Sequence, residues 1–109
     1  MQEHDNQIEV PPSFVAVHAD AHGRLQVTPD HLRERYELCE DLATMLVEQA
    51  QTLFHVQAPS EAQVLSGIHA GLCAQQALLE AHEATWVVSR LAELLAWPCP
   101  LLNVGPGSV

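Results

Sequence analysis

Residues 28–54, TPDHLRERYELCEDLATMLVEQAQTLF, decide the fold class. Within them Leu32, Tyr36, Cys39, Ala43, Leu46, Ala50 and Leu53 recur at alternating steps of four and three. That spacing stacks side chains on one face of an α-helix and makes a packing seam. Glu34, Glu37, Asp41 and Glu48 fall roughly opposite it, at ~100° per residue. Thr28 suits the N-cap, Pro29 the first helical position and Asp30 the first turn, because a hydroxyl accepts a free amide, proline presets φ and a carboxylate meets the positive helix end. The pattern predicts a helix running to about Phe54.

Reading outward, Ser60-Glu61-Ala62-Gln63 after Pro59 forms a capping box and opens a second helix with Val64, Leu65, Ile68 and Leu72 on its core face. Gly67 and Gly71 weaken it, each costing up to ~1 kcal/mol relative to alanine, so an end or break is expected between Gly71 and Gln76. A third helix, from about Glu80 to Ala96, places Ala84, Val87, Val88, Leu91, Leu94 and Leu95 on one face, and Pro98 and Pro100 end it. Toward the N-terminus, Pro11-Pro12 argues against helix, Phe14-Val15-Ala16-Val17 favours extended backbone and Gly23 marks a turn. The expected architecture is all-α: a three-helix bundle over 29–97 covered by an extended arm over 8–28, with a short hairpin as the arm's alternative form. Residues 1–7 and 98–109 read as flexible ends.

Composition narrows the function. The 109 residues carry fourteen carboxylates against four arginines and no lysine, a formal charge of −10. That balance argues against binding nucleic acid by neutralising phosphates and would repel an anionic membrane surface. Protonating the seven histidines would move the charge from −10 to about −3. No stretch reaches the ~18 apolar residues of a membrane span, and the first residues lack the basic and apolar regions of a secretory signal. Three cysteines, Cys39, Cys73 and Cys99, make no disulfide framework, which points to a cytoplasmic protein. Cys39 belongs to the apolar seam.

Catalytic chemistry finds no foothold. A phosphate-binding loop needs glycine-rich amides followed by a lysine, and the chain has no such motif. Cys73 and Cys99 sit in no nucleophile motif, and an acidic setting opposes the thiolate. No cofactor is expected. His18, Asp20 and His22 would share one side of an extended strand and could ligate a divalent metal; the competing reading is a solvated turn beside Gly23. His69 and Cys73 are four apart on a helix, with no second pair of equal quality.

Two patterns point to protein recognition. Trp86, Arg90, Glu93 and Trp97, spaced four, three and four, share a face of the third helix, and tryptophan and arginine dominate interface hot spots. The alternative is that the Pro11-Pro12-Ser13-Phe14 arm packs over that face. Leu38 and Met45 lie between the seam and the acidic stripe of the first helix. They either widen its core face or form an apolar strip for a partner helix or for self-association.

The segments Ile8-Glu9-Val10-Pro11-Pro12-Ser13-Phe14, Arg35-Tyr36-Glu37-Leu38-Cys39-Glu40-Asp41-Leu42-Ala43 and Trp86-Val87-Val88-Ser89-Arg90-Leu91-Ala92-Glu93-Leu94-Leu95-Ala96-Trp97 resemble a family of small bacterial proteins called "ATPase with chaperone activity". The resemblance covers roughly residues 8 to 97 and implies a link to protein folding or quality control. Taken with the residues, the expectation is a non-enzymatic protein-binding module, an adaptor or cofactor of a larger assembly. A metal-binding protein and a chaperone-type ATPase are its alternatives.

Overall fold

A computed structural model of the chain describes residues 10–57, 60–75 and 78–99. They form four helices, α1 (Pro12–Val17), α2 (Pro29–Gln57), α3 (Glu61–Cys73) and α4 (Ala81–Leu95), with no strand among the described residues. The expected flexible ends at 1–7 and from 100 onward lie outside these residues, as do Ile8, Glu9 and Pro59. Two compact units divide the chain, Met1–Leu38 and Cys39–Val109. Helix α2 gives residues 29–38 to the first and 39–57 to the second.

In the first unit the arm is not extended. Pro11 and Pro12 supply the N-cap and first position of α1, a place where proline's missing N–H is harmless and its φ already helical. The Pro11 carbonyl accepts from the amides of Phe14 and Val15 at 3.0 and 3.1 Å. Phe14 is fully buried, its ring 5.4 Å from that of His18 and 5.7 Å, edge-on, from Tyr36. Burying one aromatic anchor outweighs the extended preference of the flanking valines, whose β propensity depends on context. Beyond α1 the chain turns at Gly23, where φ is +82°, and one isolated antiparallel bridge joins Ala19 and Leu25. Helix α2 starts as its sequence specifies: Thr28 Oγ1 accepts from the His31 amide at 3.1 Å.

In the second unit Cys39, Ala43 and Ala50 of α2 are buried, as are Val64, Leu65, Ile68 and Leu72 of α3 and Ala84, Val87, Val88 and Leu91 of α4. The α3 box closes both ways, Gln63 N–H donating to Ser60 Oγ at 3.1 Å and Ser60 N–H to Gln63 Oε1 at 3.0 Å. Helix α3 ends at Cys73, inside the expected interval. Arg90 ties α4 to α2: its Nε and Nη2 each donate at 3.0 Å to different oxygens of Glu40, and its Nη1 donates to Glu93 at 3.1 Å. The two carboxylates hold the guanidinium still more firmly protonated than usual.

Helix α4 closes in a Schellman turn. The Trp97 amide donates to Ala92 O at 2.9 Å and the Ala96 amide to Glu93 O at 3.1 Å, while Ala96 adopts φ 59°. The turn brings the Trp97 ring to 5.2 Å from Phe54 of α2. Leu94 is 40% exposed and so leaves the core face expected of it. Its place inside is taken by Trp86, Ala92 and Glu83. Glu83 is fully buried and accepts the Glu80 amide at 3.1 Å, which satisfies one of its oxygens at the helix start.

Candidate functional site

Between the second half of α2 and helix α3 lies an open groove of about 550 Å³, lined by Leu46, Gln49, Leu53, Gln57, Gln63, Val64, Gly67, Ile68, Gly71, Leu72 and Gln75. Helical periodicity builds it. Leu46 and Leu53 come from the apolar seam of α2, and Val64, Ile68 and Leu72 recur on α3 at four-residue steps. These five form an apolar floor, and exposed Gln49, Gln57, Gln63 and Gln75 form the rim. Gly67 and Gly71, one turn apart, are exposed, and a Cβ placed on either would meet nothing within 4 Å. Bare helix backbone therefore faces open space.

None of the eleven lining residues is ionisable. The groove thus offers apolar contact, amide hydrogen bonds and close backbone approach. Met45 and Val56, 69% and 75% exposed, stand beside it, since residues 45, 49, 52 and 56 share a face of α2 at 100° per residue.

The residues singled out from sequence are distributed differently. Trp86 is 9% exposed and belongs to the core. Arg90 is engaged by Glu40 and Glu93, Glu93 is exposed, and Trp97 is half-buried against Phe54. The four do not form one open patch, because α4 stops at Leu95 and the left-handed Ala96 redirects the chain. Helical spacing cannot place a side chain beyond the helix end. Leu38 is half-buried in the first unit, whereas Met45 is exposed in the second.

His18, Asp20 and His22 are not gathered as ligands. His18 is buried on Phe14, while Asp20 Oδ1 accepts the amides of His22 and Arg24, both at 2.9 Å, the ordinary work of an aspartate in a turn. His69 and Cys73 do meet, Nε2 to Sγ at 3.5 Å, with Thr85 Oγ1 at 3.0 Å from the same nitrogen. Thr85 donates to Ala81 O at 3.2 Å, which leaves its oxygen to accept from His69. Burial lowers the His69 pKa. Among the described residues no group of three His, Cys, Asp or Glu could hold a metal ion, and no helix is long and apolar enough to cross a membrane.

Sequence reasoning passed over the groove although a signal was there: from Ala62 to Leu79 the chain has no Asp, Glu, Lys or Arg. Val56 was missed because it lies beyond the expected end of its helix. Comparison of the chain with models of protein families, with curated proteins and with solved structures finds no match in any of the three.

Proposed function

We propose that this chain is a non-enzymatic protein-binding module, a bundle of its three longer helices that receives a partner in the α2–α3 groove. One observation carries the reading: an open, apolar-floored groove without a single ionisable lining residue in a chain of net charge −10. Solvated faces of acidic proteins carry their charges, and an uncharged concave face with exposed apolar borders is suited to covering by another protein. The family resemblance supports a place in protein folding or quality control, as adaptor or cofactor of a larger assembly. Three cysteines without a disulfide framework support a cytoplasmic setting.

The test is site-specific photocrosslinking in the producing cell, with a benzophenone amino acid replacing Gln49 or Gln75 in the groove and Glu34 as the control position. Protein adducts at both groove positions and none at Glu34 are expected. Absence of groove adducts, or equal labelling at Glu34, overturns the reading. Calorimetric titration with ATP and Mg²⁺ should give no heat of binding; saturable binding with phosphate release would replace the non-enzymatic reading with an ATPase.

A further inference from the structure

We infer that the occupant of the groove is a second copy of this chain, docked through a two-fold contact in which α3 of one copy crosses α3 of the other. This rests on the groove being the binding surface, and it adds what binds there. Charge is the first argument. Fourteen carboxylates against four arginines make two copies repel, and like charges brought face to face cost an interface dearly. The groove is a face on which two such chains can meet without opposing carboxylates, since all of its lining residues are neutral. A basic partner would be selected by acidic groups at the contact, and the lining supplies none.

Hydrogen-bonding chemistry is the second argument. The exposed rim residues Gln49, Gln57 and Gln75 carry primary amides, each both donor and acceptor. Such groups are self-complementary, as an isologous two-fold contact demands. Shape is the third. The open space above Gly67 and Gly71 lets the backbone of a crossing helix come closer than larger side chains would permit, because interaxial distance follows the residues at the crossing. Gly67 of one copy then lies near Gly71 of the other, and the contact stays within the neutral lining.

Sedimentation of the full chain over a range from about 1 μM to about 1 mM decides the matter. The weight-average mass should rise from that of one chain toward that of two. Added sodium chloride should strengthen association, because salt screens the repulsion between the copies while a neutral contact loses nothing. The Gly67→Glu/Gly71→Glu double variant has room for both side chains within one copy and gains helix propensity. It should keep its helical circular dichroism and thermal transition, yet associate roughly tenfold or more weakly, because carboxylates are then buried against one another. Single-chain mass at every concentration and salt overturns the inference, as does a dimer that survives in the double variant. If the mass stays that of one chain while Gln49 and Gln75 crosslink to a different protein, the groove reading stands and the second copy is the wrong occupant. If they crosslink to nothing, the groove reading fails too.

Discussion

Replacing Arg90 probes the contact that joins α4 to α2. Its Nε and Nη2 reach the two oxygens of Glu40 at 3.0 Å each, the fork geometry that adds direction to charge attraction. The side chains are 34% and 25% exposed, so solvent screens part of the interaction. A fully exposed pair contributes about 0.2–1 kcal/mol, and a buried hydrogen bond to a charged group about 1.5–3 kcal/mol. An intermediate setting places the Arg90–Glu40 coupling at about 1–2 kcal/mol. Arg90→Ala alone should cost somewhat more, because it leaves a largely covered carboxylate unpaired. Urea unfolding of the wild type, Arg90→Ala, Glu40→Ala and the double variant isolates the pairwise energy. Glu93 is 70% exposed, so Glu93→Ala should shift stability by no more than about 0.5 kcal/mol. A coupling below about 0.3 kcal/mol would refute the assignment of Arg90 as the fastener between the two helices.

Three further outcomes follow from named atoms. Thr28→Ala and Ser60→Ala should each lower unfolding free energy by about 0.5–2 kcal/mol, and unchanged urea midpoints for both would mean that neither hydroxyl caps its helix. Ala96→Gly should raise stability by about 1 kcal/mol, since alanine pays a steric penalty at φ 59° that glycine does not; a lower melting temperature would contradict this. Burial lowers the His69 pKa, so the unfolded chain takes up that proton first. Stability from neutral His69 is full above pH ~6.5 and declines as pH falls from there toward the folded-state pKa. The decline should be shallower in His69→Gln than in the wild type, as read from urea midpoints between pH 8 and pH 5, roughly the range in which histidine titrates. Equal slopes would remove His69 as its source.

Where local chemistry acts alone, the sequence is a good guide. Thr28, Ser60 and Gln63 make their expected caps because those bonds close within three residues. The α2 seam and the α3 face are buried where periodicity puts them, apart from half-buried Tyr36, Leu46 and Leu53. Failures come where one contact outweighs local preference. Phe14 turns a β-prone segment into helix, and the left-handed Ala96 takes Trp97 off the face that its spacing implied. The groove was harder to read, since its character comes from two helices together and from the absence of charge. Neither Gln49 nor Gln75 has a motif to announce it.

Ala96 also has an evolutionary consequence. A left-handed helix end is glycine's natural place, so an alanine there survives only where something else compensates, and here the turn lays Trp97 on Phe54. Positions 54, 96 and 97 are therefore coupled in stability. As sequences diverge, loss of either ring removes what offsets the strained alanine, and selection for glycine or asparagine at 96 rises with it. With glycine already present, the rings at 54 and 97 become freer to change. The order in which these substitutions accumulate is thus constrained by one backbone angle.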